Sequence, residues 1–205
     1  MRRTLNAFSM IELIVALAIV LVIAAVLLPA VQAVRQSAHL THCKYRMHQA
    51  GLAIHEQITI TGRFPKSTHK PWTQVVLPGL IIHPLEDQEL KPDITVLRCP
   101  ADSLESIEDK SLINFVFNFD VDGLRPEAIS DGCSMTALLS EVPLEFGAMW
   151  HDPPMVMAGA LGSKHFDRVN VNFCDGSVRE LSAHVSAEVI GHLLTPCGGE
   201  VLELE

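Results

Sequence analysis

The sequence predicts an α+β protein carried on one long N-terminal helix, and three observations predict it. Residues 13–28 form a run without a single polar side chain. Beyond it, Leu40, Cys43, Met47, Ala50, Ile54 and Ile58 recur at spacings of three and four, which is the stripe of a helix with one buried face. The C-terminal half instead alternates apolar and polar residues in short runs, and an Asp-Gly pair separates two of them, which marks antiparallel hairpins. The outer half of the helix is therefore expected to lay its stripe on an antiparallel sheet.

The helix comes first. A bilayer core takes roughly 20 apolar residues of helix to span, and residues 8–33 meet that length. Arg2 and Arg3 precede the run, and the next cation is Arg35. The positive-inside rule then places the N-terminus in the cytoplasm and the body on the far side of the inner membrane. Glu12 sits inside the leading edge of the span, where a carboxylate costs about 2.5–3.5 kcal/mol and so marks a functional position. Past Pro29, where a kink is expected, the helix continues as an extramembrane segment, residues 34–60. Gly51 within it permits close backbone approach, and Thr61-Gly62 before Phe64-Pro65 ends it. The C-terminal domain is expected to fill residues 61–205.

Residues 62–109 are broken by Pro65, Pro71, Pro78, Pro84, Pro92 and Pro100, which predicts a loop-rich connection. Within it, residues 73–80 and 94–97 read as ordered, with Trp72 as a packing anchor. Residues 111–120 read as a strand with Phe115, Phe117 and Phe119 on one face. Residues 135–140 form a second strand, and the runs about Val169–Phe173 and Ser177–Leu181 a hairpin closed by Asp175-Gly176. Residues 186–194 suggest a short terminal helix.

Charge narrows the partners. The 205 residues carry a formal net charge of −9 without a basic cluster, which argues against nucleic acid, whose binding depends on neutralising phosphates. No cofactor is implied. The five cysteines, on the oxidising side of the membrane, are free to pair with at least one left over.

A short basic leader, Ala7, Phe8 and a Glu four positions after that Phe resemble the cleavage and methylation segment of type IV prepilins and type II secretion pseudopilins. The resemblance implies that a prepilin peptidase removes residues 1–7 and methylates Phe8. It also implies that Glu12 neutralises the Phe8 amine of a neighbouring subunit, which suits a carboxylate in lipid that needs a paired cation. A second resemblance runs along the rest of the chain. His165, nine intervening residues and Asp175-Gly176 are similar to the signature of a bacterial H-X9-DG prepilin-like family of unassigned biochemical role. Residues 43–55, 72–80, Cys99-Pro100-Ala101-Asp102 and residues 131–141 also resemble it, in order. Together they imply a pilin-like fold and a structural subunit that self-associates or joins other pseudopilins. The family pattern has cysteine at the positions of Cys43 and Cys99, and implies a disulfide between them. The alternative is an anchored envelope binding module that forms no filament; an enzyme comes a distant third.

Chemistry is sparse outside those segments. Asp175 and Gly176 suit a turn, the first by local hydrogen bonding and the second by positive φ. In a two-residue loop they lie about 30 Å from His165 at 3.3 Å per residue, so no shared site is expected. His39 and Cys43 have i, i+4 spacing suited to zinc, but no second ligand pair is recognisable, and a solvated face is the simpler reading. Asp120, Asp122 and Gly123 lack the oxygen-rich loop that calcium takes. Cys174 has no nucleophile motif around it. No metal ligand is therefore named.

Overall fold

The computed structural model describes residues 9–67, 71–80, 95–102, 112–149 and 161–199. Ala7 and Phe8, on which the processing expectation falls, lie outside them. The chain divides into two compact units, Met1–Ala38 and His39–Glu205, with the division inside helix α1 (Met10–Thr61).

In the first unit, α1 opens on Ser9-Met10-Ile11-Glu12, a capping-box sequence. The Ser9 amide donates to Glu12 Oε2 at 2.9 Å, and the Leu13 amide to the Ser9 carbonyl at 3.2 Å. From Met10 to Val34 the large apolar side chains are exposed, and α1 is long and apolar enough to cross a membrane. Pro29 lies inside α1 without ending it.

In the second unit the same helix turns its stripe inward. Cys43, Met47, Ala50, Gly51, Ala53 and Ile54 are buried, and Leu40 and Ile58 half-buried at either end. The helix stops at Thr61 because Gly62 takes a left-handed φ of 71°, while its amide bonds the Ile58 carbonyl at 2.7 Å. Opposite lies a four-stranded antiparallel sheet in sequence order: β1 (Phe115–Phe117), β2 (Ala137–Glu141), β3 (Arg168–Phe173) and β4 (Val178–Ser182). The architecture is thus α+β. Close approach of helix and sheet rests on Gly51, since a Cβ there would stand 2.7 Å from Asn172 Nδ2 on β3. Helix α2 (Trp72–Leu80) buries Trp72, whose ring stacks on Phe117 at 6.0 Å. Helix α3 (Ala187–Leu194) is capped by Ser186 Oγ, which accepts from the Val189 amide at 3.3 Å.

Two details differ from the sequence reading. The first strand is only three residues long, and Phe119 leaves it for a 3₁₀ turn where it is 59% exposed. Asn118 causes that exit: its Oδ1 accepts from the Asp120 amide, and its Nδ2 donates to the carbonyls of Ala137 and Leu194. The β3–β4 loop has three residues instead of two. The Gly176 amide bonds the Phe173 carbonyl at 2.9 Å, the Phe173 amide bonds the Ser177 carbonyl at 2.8 Å, and Gly176 has φ 85°. That is a turn followed by a left-handed bulge residue.

Candidate functional site

Four separate pieces of the second unit bring one polar side chain each to a common point in the core. Cys43 comes from the buried stripe of α1, and Glu141 ends β2. Cys99 follows the 3₁₀ turn Thr95–Leu97, and His165 lies in the turn before β3. Their donor atoms all lie within 4.8 Å of one another. Cys43 Sγ donates to Glu141 Oε1 at 2.5 Å, Cys99 Sγ and His165 Nε2 are 3.1 Å apart, and His165 Nε2 stands 3.3 Å from Glu141 Oε1. Cys43 is 0% exposed and Cys99 4%, while the side chains of Glu141 and His165 are 1% and 5% exposed.

Glu141, Cys99 and His165 are each held by hydrogen bonds from outside the cluster. Glu141 Oε2 accepts from the Asn170 amide at 2.9 Å and from Asn170 Nδ2 at 3.1 Å, leaving Oε1 to face the sulfur and the imidazole. The β2–β3 register produces this pairing, since Ser140 stands opposite Val171 and Glu141 comes next. The Cys99 amide donates to Asn114 Oδ1 at 2.7 Å. Asn114 Nδ2 in turn donates to Asp102 Oδ2 and to the Val142 carbonyl, both at 2.9 Å. Asp102 closes the Cys99-Pro100-Ala101-Asp102 turn, its amide bonding the Cys99 carbonyl at 3.1 Å and Oδ2 accepting the Leu144 amide at 2.6 Å. Ser163 Oγ accepts from the His165 amide at 3.0 Å.

The electrostatics follow from this packing. The Cys99 thiol is held below its ordinary range by the hydrogen bond from Cys43, with His165 adding to it, against the opposing effect of burial. The Cys43 thiol is pushed far up by the same bond to Cys99, by burial and by Glu141. Burial pulls His165 down, but its hydrogen bonds with Cys99 and Glu141 outweigh that and raise it to about 10.

The other expected positions fall elsewhere. Glu12 caps the start of α1. Asp175 and Gly176 occupy the β3–β4 turn, where Asp175 Oδ1 accepts from the Ser177 amide at 2.8 Å. His165 lies before the opposite end of β3, so the two ends of the H-X9-DG spacing have different duties. Cys43 and Cys99 are brought together, but as free thiols; the expected disulfide is absent from this structure. His39, four residues before Cys43 on α1, is half-buried and outside the donor cluster, in which Cys43 meets Cys99, Glu141 and His165 instead. Cys174 is buried, its thiol pushed up chiefly by burial and next by Cys133 and Asp175. Asp122 Oδ1 accepts from the Ser67 amide at 2.8 Å, and Gly123 has φ 70°, so this pair shapes a turn.

Sequence reasoning named His165, Cys43 and Cys99 for other reasons and missed Glu141, Asn170, Asn114 and Asp102. One signal was present: three of the four cluster residues lie in stretches that carry the family resemblance, and Glu141 closes a fourth. Comparisons of the chain with protein-family models, curated proteins and solved structures give no match.

Proposed function

We propose that this chain is a pilin-like structural subunit, anchored in the inner membrane by its N-terminal helix and displaying its α+β unit outside. The observation that carries this reading is α1 itself. One helix offers bare apolar side chains from Met10 to Val34 and then supplies buried residues of the second unit from Cys43 to Ile54. Such a segment suits lateral packing against other helices in lipid, where apolar surface has no water to escape and close van der Waals contact holds helices together. Processing between Ala7 and Phe8 by a prepilin peptidase would free an amine four residues before Glu12. In assembly the Glu12 carboxylate then exchanges its local Ser9 contact for the amine of a neighbouring subunit.

Two substitutions at one position test this. Glu12→Leu removes both the cap and the charge, whereas Glu12→Gln keeps a carbonyl oxygen for the Ser9 amide and removes only the charge. Both variants should insert in the membrane, and both should lose in-membrane crosslinking to neighbouring copies or other pseudopilins. Undiminished crosslinking in both would contradict the assembly role of Glu12, and a wild-type chain that gives no such crosslinks would favour a monomeric anchored binding module.

A further inference from the structure

We propose that Cys43, Cys99, Glu141 and His165 bind one divalent ion of the zinc class in a closed, four-coordinate structural site. The site lies wholly in the second unit and does not depend on processing or assembly.

The donor set suits that class of ion. Two sulfurs, one imidazole nitrogen and one carboxylate oxygen are ligand types that zinc accepts, at about 2.3, 2.0–2.1 and 2.0–2.2 Å respectively. A tetrahedron with those arms has edges of roughly 3.3–3.8 Å. The measured separations of 3.1 Å for Cys99–His165 and 3.3 Å for His165–Glu141 sit close to such edges, and all pairs fall within 4.8 Å. The 2.5 Å Cys43–Glu141 contact must open by the most and the 3.1 Å Cys99–His165 edge by less, as a metal takes the place of the thiol protons.

The surroundings also do what ligand supports do. A ligating carboxylate is typically fixed by hydrogen bonds to its other oxygen, and Asn170 gives Glu141 Oε2 two of them. Cys99 is fixed by the hydrogen bond that its backbone N–H donates to Asn114 Oδ1, and Asp102 braces Asn114 in turn. Burial of all four donors leaves no position for substrate, which separates a structural site from a catalytic one. Softer thiol-seeking ions such as Cu(I) are disfavoured by the carboxylate, and Ca²⁺ or Mg²⁺ by the two sulfurs.

On binding, both sulfurs take the metal as thiolates, and every proton that the two thiols and the His165 Nε2 position carried passes to solvent. Glu141 supplies the third anionic donor, and His165 enters as neutral imidazole through Nε2. The ion would tie α1, the 95–102 segment, β2 and the turn before β3 into one crosslink. It would also keep Cys43 and Cys99 reduced, since a disulfide brings the sulfurs to about 2.05 Å and hands two electrons to an oxidant.

The test uses the full chain in detergent, purified after growth with added zinc. Elemental analysis should find about one zinc per chain. Cobalt exchanged into the site should give thiolate-to-metal charge-transfer absorption and the visible bands of tetrahedral Co(II). Cys99→Ser and Glu141→Gln should each lower retained zinc by about tenfold or more, and Cys174→Ser, a buried cysteine outside the cluster, should not. Because the ligand variants can misfold, the wild-type chain supplies an independent readout. Zinc should protect two thiols from alkylation until a chelator is added, and the chelator should lower the melting temperature. A folded wild-type chain that retains no zinc overturns the proposal, and so does a Cys43–Cys99 disulfide in protein taken from its native membrane. Zinc retained at full stoichiometry by Cys43→Ser/Cys99→Ser would overturn it equally.

Discussion

At the scale of single residues, polar side chains inside the core carry much of the specificity of the second unit. Asp102 is buried, and Oδ2 satisfies both Asn114 Nδ2 and the Leu144 amide. Asp102→Ala leaves two donors unpaired in a dry setting and should cost about 3 kcal/mol, read as a lower denaturation midpoint. Asp102→Asn, which keeps an acceptor oxygen, should cost less. Glu180 gives a contrast at the surface. Partial burial pushes its carboxyl up, but Arg168 at 2.7 Å and Lys44 at 3.2 Å outweigh that and hold it below the usual range. A lowered folded value means the stabilisation is present above the unfolded carboxylate value of about 4.3 and is lost as pH falls through the folded one. All three side chains are partly solvated, so Glu180→Gln should cost less than about 1 kcal/mol at neutral pH. The difference from wild type should vanish in acid; an undiminished difference there would contradict the ion-pair origin. Such residues were the least legible in the sequence. Asn114, Asn118, Asn170 and Asn172 alternate with apolar neighbours, yet all four are buried. Alternation reports that two faces differ, and here the difference is between an apolar face and a hydrogen-bonded one.

Among the elements, those set by local physics were readable and those set by partners were not. The stripe of α1 follows from its three-and-four spacing, its end from Thr61-Gly62, and the β3–β4 hairpin from alternation around Asp175-Gly176. The first strand was overestimated because Phe119 continues the alternation, while the turn that removes it depends on Asn118 meeting β2 and α3. The cluster of Cys43, Cys99, Glu141 and His165 was illegible as a cluster, since it joins positions up to 122 apart in sequence through sheet register and helix docking. Gly51 tests that docking directly. Alanine there should gain up to about 1 kcal/mol in helix propensity. Its Cβ, however, would meet Asn172, whose Nδ2 bonds the carbonyls of Gly176 and Ser177 at 3.2 and 3.3 Å. Moving that amide breaks the hairpin contacts, and overpacking of this kind costs about 1–3 kcal/mol. A net loss of stability is therefore expected in Gly51→Ala, and a net gain would show that helix and sheet are not in contact there.

For the whole molecule, the central claim is that residues 8–33 are an anchor kept after processing and that the second unit is what the anchor displays. The exposed apolar helix and the α+β unit are each accounted for by their own residues. What joins them functionally is the fate of the bond between Ala7 and Phe8. Mass spectrometry of the N-terminus, on protein purified from its native membrane, reads that fate directly. The account predicts a mature chain that begins at methylated Phe8 and retains the whole of α1. A chain that still begins at Met1 or Arg2 would contradict it and leave an unprocessed anchor.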